Sequence, residues 1–489
     1  MPEFFINGHS VQAAEQQTVM QAARAAGYFL PAFCWHPQLS APGNCRVCVV
    51  EVRSDDDSSG WLDIACNMPV SPGMRVLTDS DRVRQRRQQT LQFATLNHPV
   101  DCGICDKAGE CTLQDYHVAY NGAPSISIEP KLHAPKHVPL STRIVLDEER
   151  CILCTCCVRF THEVSKSHGL GVIGRADHSS IRAVEDGAFE RDDYSDNVID
   201  LCPVGALSAR HAQPPSRVWY LKATPSVCPG CARGCSIDIW QRKPEWHFKA
   251  LDAGRNRKIE RVTPRENAAV NGPWICNTGR DLARTLERPR ALHAMLKGQP
   301  VAVERAVESA RTLIANAGPA VALVSSWASN EELAAFARTL SARFSCYVKA
   351  DRWAQAGETI EDALLIHSDK NPNGAAARAL FPPLPLLPAE LHAALPEETA
   401  LVLVWGEGCD LTQLPQKAAV IHLNSWQHAD PSRADVFFPT SVMTERSGHY
   451  TNVAGLVGAF TACFDKPEGV VDASALFEAL APAPQEGPW

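Results

Sequence analysis

The spacing of apolar and polar residues at the start of the chain predicts strands first and a helix second. The strand-like run Glu3–Ile6, an Asn-Gly pair and a second short run predict a β-hairpin with a type I′ turn. Thr18 and Gln21 then give the pattern of a capping box before a helix over Ala22–Ala26, and a glycine follows where that helix would end. A hairpin followed by a helix predicts a small ubiquitin-like fold.

The middle of the chain combines one long helical pattern with proline-rich loops. Apolar positions among many Arg and Gln residues predict a helix over Asp79–Leu96, with His98 just beyond its end. After a loop with several prolines, we expect a strand at Arg143–Leu146 and a helix that begins near Val158. The apolar positions expected on the first of these helices are Val83, Leu91 and Phe93.

From about residue 298 helical and strand patterns alternate. The predicted elements are helices at Val303–Ala315 and Asn330–Phe344 and strands at Ala320–Ser325, Ala400–Val404 and Ala418–His422. Such alternation predicts an α/β domain with a mostly parallel sheet. Asn371–Glu398 is rich in proline and alanine and is expected to be an irregular connection.

Charge and hydropathy argue against a nucleic-acid partner and against direct insertion into a membrane. The net charge is −8 and the dense basic run near Arg82–Arg87 is expected to be a solvated helix face or a docking surface, so no nucleic-acid footprint is indicated. Apolar runs such as Ala400–Trp405 are far shorter than the roughly 20 residues that span a bilayer, so we expect membrane contact only through partners. The first residues lack the pattern of a secretory signal, which predicts a cytoplasmic protein.

The chain has 19 cysteines, too many for a disulfide framework in a compartment that keeps thiols reduced, and we interpret them as metal ligands. One loop, which we call the His98 loop, offers a histidine and three cysteines: His98, Cys102, Cys105 and Cys111. Their spacing fits a 4Fe-4S cluster held by three thiolates and one imidazole, and the neutral imidazole removes one negative charge from the ligand set. For this loop alone, the alternative is a zinc site or scattered thiols.

The run CGxCxxxGxCxLQD, from Cys102 to Asp115, closely resembles the large iron-sulfur subunit of respiratory complex I, the NADH:quinone oxidoreductase. It is similar as well to the diaphorase subunits of NAD-linked hydrogenases and formate dehydrogenases. The order of the residues argues against zinc in this loop. The resemblance implies an electron-relay subunit.

A second ligand set lies in the first region of the chain: Cys34, Cys45, Cys48 and Cys66. The plant-type ferredoxin pattern has a C-x4-C step where this chain has C-x10-C, but the C-x2-C pair and the distant fourth cysteine are kept. The longer first gap matches the complex I family, and the resemblance implies a 2Fe-2S cluster. The alternative is four buried core thiols that share a loop.

A third set combines a C-x2-C-x2-C run with a distant Cys-Pro: Cys151, Cys154, Cys157 and Cys202. This pattern is typical of bacterial ferredoxins and indicates another 4Fe-4S cluster. A two-cluster ferredoxin would carry a further cysteine where Phe160 and Thr161 stand, so we expect a single cluster. Cys156 is a spare thiol inside the run, which either packs against the cluster or becomes a ligand by a shift of register.

The fourth set is Cys228, Cys231, Cys235 and Cys276. Its order, C-x2-C-x3-C with a distant fourth cysteine, resembles the 4Fe-4S domain of the molybdopterin oxidoreductase family. A tetrahedral four-cysteine zinc site is the alternative. The run Ala434–Phe460 resembles the same family, and we expect the C-terminal α/β domain to be a shortened relative that binds no molybdenum cofactor.

The expected fold class is α+β and α/β multidomain. The expected domains are a ubiquitin-like 2Fe-2S ferredoxin domain (1–78), a 4Fe-4S domain with one histidine and three cysteine ligands (79–120), a 4Fe-4S ferredoxin-like domain (121–216), a 4Fe-4S domain of the molybdopterin-oxidoreductase type (217–288) and a shortened α/β domain of that family (289–489). A formal G-x-G-x-x-G at Gly169–Gly174 lacks the strand and helix of a dinucleotide loop, and we expect its glycines to pass close to a cluster.

By the resemblance, the protein accepts electrons that come from NADH through a flavin-bearing partner and passes them over its clusters toward a quinone-reducing partner. It would work with further iron-sulfur subunits in a complex on the cytoplasmic face of the inner membrane. The alternatives are the diaphorase subunit of a soluble hydrogenase or formate dehydrogenase, a catalytic molybdenum enzyme, and a non-redox scaffold whose metal sites only hold the fold.

Overall fold

The structure is a computed structural model that describes residues 2–54, 59–210, 216–247, 256–383, 395–427 and 431–481. The chain forms two compact units, Met1–Trp219 and Tyr220–Trp489. In the described part of the chain, no helix is both long enough and apolar enough to cross a bilayer.

The first unit is built from short strands and helices. Its strands are β1 (Glu3–Ile6), β2 (His9–Gln12), β3 (Val49–Arg53), β4 (Trp61–Ile64), β5 (Arg75–Leu77), β6 (Val138–Pro139), β7 (Ile144–Leu146), β8 (Leu170–Ile173), β9 (Ser180–Ala183) and β10 (Leu207–Ala209). Its helices are α1 (Val19–Ala25), α2 (Asp81–Thr95), α3 (Thr112–Tyr116), α4 (Cys156–Glu163) and α5 (Asn197–Leu201).

The first strands and α1 form the predicted ubiquitin-like fold. Asn7 and Gly8 have φ values of 49° and 84°, as the type I′ turn of the β1–β2 hairpin requires. The predicted capping box is present, because Gln21 N–H donates to Thr18 Oγ1 and Thr18 N–H donates to Gln21 Oε1. The mixed sheet has the order β2-β1-β5-β3-β4, with β1 and β5 parallel, and it shares one buried core with α1.

Helix α2 starts later than predicted, and one of its three apolar positions is exposed. It begins at Asp81 because Ser80 caps it by accepting from the Val83 N–H. Of its three apolar positions, Val83 and Leu91 are fully buried, whereas Phe93 is 71% exposed. The last turn of the helix therefore presents an aromatic side chain to the surface.

Arg87 does not fit the prediction that the basic run of α2 is a solvated helix face or a docking surface. It is 3% exposed, and its guanidinium donates to the carbonyl oxygens of Val47, Val49 and Thr78. The guanidinium also lies over the ring of Tyr120. This arginine thus fixes α2 to the backbone at the start of β3.

The glycine motif Gly169–Gly174 contains β8, the first strand of the antiparallel hairpin β8–β9, which differs from the strand-loop-helix of a dinucleotide site. A Cβ on Gly169 would lie 2.6 Å from the Cα of Phe189. The backbone at Phe189 therefore leaves no room for a side chain at position 169. That these glycines let the loop pass close to a cluster stays a prediction.

The second unit combines a small sheet with a large one. Its strands are β11 (Leu221–Val227), β12 (Ser236–Arg242), β13 (Arg261–Pro264), β14 (Ala294–Leu296), β15 (Gln299–Val301), β16 (Ala320–Ser325), β17 (Ser345–Lys349), β18 (Leu401–Trp405), β19 (Ala419–Asn424), β20 (Val436–Pro439), β21 (Gly448–Thr451) and β22 (Val457–Phe460). Its helices are α6 (Asn277–Arg280), α7 (Leu282–Leu286), α8 (Val303–Asn316), α9 (Asn330–Thr339), α10 (Gly374–Leu380) and α11 (Ala473–Leu480).

The seven-stranded sheet of this unit has the order β15-β14-β20-β19-β18-β16-β17. The five strands from β20 to β17 are parallel, and β14 and β15 are antiparallel additions at one edge. One face of the sheet packs against α8, α9 and α11 around Phe336 and Phe477. The predicted α/β architecture with a mostly parallel sheet is confirmed.

Two predictions for this domain were wrong: the end of one helix and the absence of another. Helix α9 ends at Thr339, and a separate 3-10 turn, Ser341–Arg343, fills the remainder of the predicted helix. The supposedly irregular stretch Asn371–Glu398 contains α10, while its residues 384–394 lie outside the described part of the chain.

Candidate metal centres

The four cysteines of the first region form two pairs of thiols. Cys34 shares a hydrogen bond with Cys45, and Cys48 shares one with Cys66. Hydrogen bonding to Cys34 lowers the pKa of Cys45 to about 6, and bonding to Cys48 lowers the pKa of Cys66. In each pair one sulfur is the better thiolate. Two pairs fit a 2Fe-2S cluster, because each of its iron atoms takes two protein ligands.

Strand pairing brings the second of these pairs together. Val49 at the start of β3 is opposite Ile64 at the end of β4, and Ala65 N–H donates to the Cys48 carbonyl at 3.1 Å. Cys48 and Cys66 therefore leave neighbouring strands at the same end of the sheet, where both are almost fully buried.

The C-x2-C-x2-C run and the distant Cys-Pro meet at one cavity. Its lining includes four cysteines, which are Cys151, Cys154, Cys157 and Cys202. Apolar side chains such as Leu146, Ile181 and Val204 make up most of the remaining wall. Burial raises the pKa of Cys151 to about 11 and raises the pKa of Cys157 well above its ordinary value. An apolar pocket with four sulfur donors fits a 4Fe-4S cluster.

The backbone of this run is bent by two residues in the left-handed region. Leu153 has a φ of 50° and Thr155 a φ of 60°. These bends turn successive cysteines toward the same cavity, and Thr155 then stands at the N-cap of α4. The helix starts at Cys156, two residues before the predicted start, because the second bend ends there.

Cys156 is not among the residues that line this cavity. Its Sγ lies 3.5 Å from the carbonyl oxygen of Phe33 and 3.3 Å from Nη2 of Arg159. It also shares a hydrogen bond with Cys154, which lowers the pKa of Cys156. This placement favours packing beside the cluster over a shift of register.

The three cysteines of the His98 loop lie near one another. Cys105 and Cys111 are buried, and Cys111 is close enough to both Cys105 and Cys102 for their thiolates to raise its pKa, after burial as the larger cause. Cys102 is exposed, at the first position of a short 3-10 turn. The loop thus gathers three sulfur donors with one at the surface.

His98 has the properties of a ligand that is still free to bind. Its Nδ1 is buried, and among the described residues it has no hydrogen-bond partner. Burial lowers the pKa of His98, which favours the neutral imidazole that metals bind. The charges of Asp101 and Arg150 act on both His98 and Cys105, so the two candidate ligands share close neighbours.

The Cys202 loop lies directly against the His98 loop. A Cβ on Gly205 would be 2.1 Å from Sγ of Cys105, and Thr112 N–H donates to the Pro203 carbonyl at 3.0 Å. Gly205 is therefore needed for the two loops to approach this closely. Two of the candidate cluster sites are neighbours.

The fourth cysteine set is held by the turn between β11 and β12. Cys228 follows β11 and Cys235 precedes β12, and Cys228 N–H donates to the Cys235 carbonyl at 2.8 Å. Burial raises the pKa of Cys228, and the nearby Cys276 and Cys231 raise it further. The four sulfurs therefore share one region although Cys276 is distant in sequence.

Backbone amides and an arginine support this fourth set. Gly230 N–H donates to Cys228 Sγ and Gly279 N–H donates to Cys276 Sγ, both at 3.4 Å. Arg352 donates to the Gly230 carbonyl at 3.0 Å, which ties the turn to the α/β domain. Hydrogen bonds to ligand sulfurs are one of the determinants of cluster potentials.

Among the described residues, no three His, Cys, Asp or Glu side chains have the arrangement that holds a single metal ion. A cluster needs a wider arrangement than a single ion, because each thiolate binds a different iron atom or shares one with a single neighbour. The paired thiols and the four-cysteine cavity have the donor chemistry that iron-sulfur clusters use.

Sequence reasoning did not single out three residues that link these sites. Gly205 contacts Cys105, Arg150 pairs with Asp101 at 2.7 Å in the His98 loop, and Arg159 donates to the Cys34 carbonyl at 2.5 Å. Their only sequence signal is that each lies within a few positions of a candidate ligand. The contacts themselves join segments far apart in the chain, which spacing alone does not reveal.

Four family models match successive parts of the chain. They are described as a 2Fe-2S iron-sulfur cluster binding domain (residues 2–81), the NADH-ubiquinone oxidoreductase-G iron-sulfur binding region (87–123), the ferredoxin-like domain of NADH-quinone oxidoreductase subunit 3 (141–208) and the molybdopterin oxidoreductase Fe4S4 domain (221–288). The predicted combination of a 2Fe-2S domain with several 4Fe-4S domains is confirmed by these matches.

Similar proteins come from plants, bacteria and protists. The chain is 36% identical over 297 residues to the mitochondrial NADH dehydrogenase [ubiquinone] iron-sulfur protein 1 of Solanum tuberosum, covering 60% of this chain and 38% of that protein. It is 33% identical over 304 residues to the G subunit of NADH-quinone oxidoreductase from Rickettsia typhi (62% and 42%) and 36% identical over 298 residues to the NADH-ubiquinone oxidoreductase 75 kDa subunit of Reclinomonas americana (61% and 40%). The match thus spans about two fifths of each relative.

Among solved structures, a chain of an NAD+-reducing [NiFe]-hydrogenase in the H2-reduced state is similar, at 29% identity and a TM-score of 0.38. The match covers 43% of this chain and 88% of that one.

Proposed function

Because this chain is homologous to the large iron-sulfur subunits of NADH-quinone oxidoreductase over about 60% of its length, we propose that it is an iron-sulfur electron-relay subunit. It receives electrons from an NADH-oxidising flavoprotein partner and passes them toward a quinone-reducing partner. The observation that carries the proposal is the apolar cavity lined by Cys151, Cys154, Cys157 and Cys202, which join from two distant segments around one space.

The proposed ligands form one 2Fe-2S site and three 4Fe-4S sites. They are, in chain order, Cys34, Cys45, Cys48 and Cys66; His98, Cys102, Cys105 and Cys111; Cys151, Cys154, Cys157 and Cys202; and Cys228, Cys231, Cys235 and Cys276. Clusters bound at these sites would supply one-electron transfer. The role of the protein is to fix the position and potential of each site through burial, ligand type and hydrogen bonds to sulfur.

The features that set the potential differ between the His98 site and the fourth site. The unpaired Nδ1 of His98 offers a neutral donor, which leaves its site with less negative charge than four thiolates would. At the fourth site, the Gly230 and Gly279 amides donate to ligand sulfurs and so favour the reduced form. Such differences give neighbouring sites different affinities for an electron.

We propose that the protein works in a multisubunit complex with a flavin-bearing subunit and further iron-sulfur subunits, on the cytoplasmic face of the inner membrane. Its enzymatic activity, as a subunit of an NADH:quinone oxidoreductase, requires these partners. The chain itself then has no need of a flavin, a nucleotide site or a membrane span.

Metal analysis after anaerobic purification tests the ligand sets. One 2Fe-2S and three 4Fe-4S clusters amount to about 14 iron atoms per chain, with no zinc. A value near ten iron atoms and one zinc would mean that the Cys228–Cys276 site is a zinc site.

Partner dependence tests the relay. The purified chain is expected to oxidise NADH no faster than background, and electrons from NADH should reduce its clusters once the flavoprotein partner is added. Identification of copurifying proteins gives the terminal partner: a membrane arm supports the proposal, and a hydrogenase large subunit contradicts it.

A further inference from the structure

Arg159 contacts two candidate cluster loops at once. It lies on α4, two residues after Cys157, and its Nη2 donates to the Cys154 carbonyl at 3.4 Å. The same nitrogen donates to the Cys34 carbonyl at 2.5 Å, and Nη1 donates to the carbonyl of Ser40. One guanidinium therefore joins the backbone of the 2Fe-2S loop to the backbone of the neighbouring 4Fe-4S loop.

Glu163 makes a second connection one helical turn further along α4. Its carboxylate accepts from the Ser40 N–H at 2.8 Å and from Ser40 Oγ at 2.6 Å. Positions 159 and 163 lie on the same face of the helix, so both side chains form hydrogen bonds with the loop at Ser40. Asn44 completes the contact by donating to the Leu153 carbonyl at 3.2 Å.

Cys156 fills the space inside this connection. Its Sγ lies between the Phe33 carbonyl at 3.5 Å and Arg159 Nη2 at 3.3 Å. It is buried, and the charge of Cys45 reaches it. Cys156 thus packs between the two loops at Phe33 and Arg159, whereas Cys45 and Leu153 line an open cavity beside this contact.

The guanidinium has two physical effects at this position. Its planar set of donors fixes several acceptors in one geometry, which a single ammonium does less well. Its charge is permanent, and each reduced cluster carries one more negative charge than its oxidised form. A fixed positive charge in a partly buried place therefore favours the reduced form of both neighbours.

We propose that Arg159 and Glu163 are positioning residues that hold the 2Fe-2S site and the Cys151–Cys202 site at a fixed separation for electron exchange, and that Arg159 raises the reduction potential of both. This inference rests on the proposed relay function. In the exchange one electron leaves one site and enters the other, so one is oxidised, the other is reduced, and no covalent bond changes. Because the rate falls steeply with distance, a fixed contact between the loops sustains it.

The test compares four variants of the full chain, purified anaerobically and reduced with dithionite. Arg159→Gln removes both the positive charge and the planar set of donors, whereas Arg159→Lys keeps the charge. Glu163→Gln weakens the hydrogen bonds to Ser40 and removes a negative charge. Arg84→Gln is the control, because Arg84 pairs with Asp79 at the surface of α2. The readouts are midpoint potentials from redox titration and the relaxation enhancement of the 2Fe-2S electron paramagnetic resonance signal by the reduced neighbour.

We expect Arg159→Gln to lower both potentials and to weaken the relaxation enhancement. Arg159→Lys should restore the potentials but only part of the enhancement. Glu163→Gln should weaken the enhancement without lowering the potentials, since it removes a negative charge. Arg84→Gln should match the wild type.

Failure of the inference and of the proposed function are distinguishable. If the wild-type chain shows both signals but Arg159→Gln and Glu163→Gln leave potentials and relaxation unchanged, the positioning role is wrong and the relay function stands. If the wild-type chain binds no cluster at either set of cysteines, both proposals fail. If Arg159→Gln does not retain its clusters, the inference is tested by the other two variants. Unchanged relaxation enhancement in both Arg159→Lys and Glu163→Gln would then contradict the positioning role.

Discussion

His98 supplies the one imidazole in the proposed ligand sets. If its buried, unpaired Nδ1 binds iron, His98→Ala should abolish or convert one 4Fe-4S signal and leave the 2Fe-2S spectrum intact. His98→Cys should keep a cluster at lower potential, because an anionic ligand stabilises the oxidised form. Low-temperature electron paramagnetic resonance measures both. Spectra unchanged in both variants would remove His98 from the ligand set, and His9→Ala, at an exposed strand position, is the control.

Gly205 tests the contact between two loops. A methyl group at this position would collide with Cys105 Sγ, so Gly205→Ala should disturb the sites at Cys105 and Cys202 together. The expected result is loss of intensity in two 4Fe-4S signals with the 2Fe-2S signal retained. Gly171→Ala is the matched control, since a Cβ there meets nothing within 4 Å. Loss of only one signal would contradict the shared contact.

Ligand spacing can be read from the sequence, because a C-x2-C step is local. The Gly205 contact could not be, since it depends on where the chain returns about a hundred residues later. Spacing alone also left Cys156 with two roles open, and only the position of its Sγ beside Phe33 favours one of them.

At the scale of elements, Arg87 is expected to matter more than its sequence context indicates. It donates to three backbone carbonyls that join α2 to the β3 region. Arg87→Met would leave these acceptors without their donor and should lower the free energy of unfolding by about 3 kcal/mol. Urea unfolding followed by circular dichroism measures this. Arg86→Met, on the exposed side of the same helix, should change stability little, and equal effects would contradict the argument.

Elements with local signals were predicted well. The capping box of α1 and the Asn-Gly turn are specified by neighbouring residues, and both are present. The start of α4 was missed because it depends on a left-handed Thr155, an uncommon conformation for a β-branched residue. Helix α10 was missed because the prolines around it suggested a loop.

At the scale of the whole molecule, one edge of the parallel sheet bears on whether this domain can bind a molybdenum cofactor. The order of its parallel strands reverses between β16 and β18, the kind of place where open α/β sheets bind ligands. Here Asp351 accepts from Ser325 Oγ at 2.8 Å and pairs with Lys349 at 2.6 Å, and a Cβ on Gly406 would be 2.2 Å from Asp351 Oδ1. These residues leave a cavity of about 70 Å³ at this edge, which is far smaller than a pterin cofactor.

We therefore expect the purified protein to contain no molybdenum or tungsten. Mass spectrometry of metals in the anaerobic preparation checks this, with the iron content as the internal control. About one atom of either metal per chain, or formate oxidation by the isolated protein, would instead indicate a catalytic molybdenum enzyme. The alternation of helices and strands was enough to predict the sheet, but not the small size of the cavity at this edge, which depends on side chains from separate loops.

Because Leu153 and Thr155 have a left-handed backbone, we expect the folding of their loop to depend on the insertion of a cluster. Such a conformation costs a non-glycine residue of order 1–2 kcal/mol, and cysteine ligands without a metal do not offset it. We expect the loop to reach its final form only when the cluster is inserted, as binding and folding coincide in small metal domains. A cell that translates this chain faster than it makes clusters would accumulate an incompletely folded form with open thiols. Its abundance would then follow cluster biogenesis more closely than transcription.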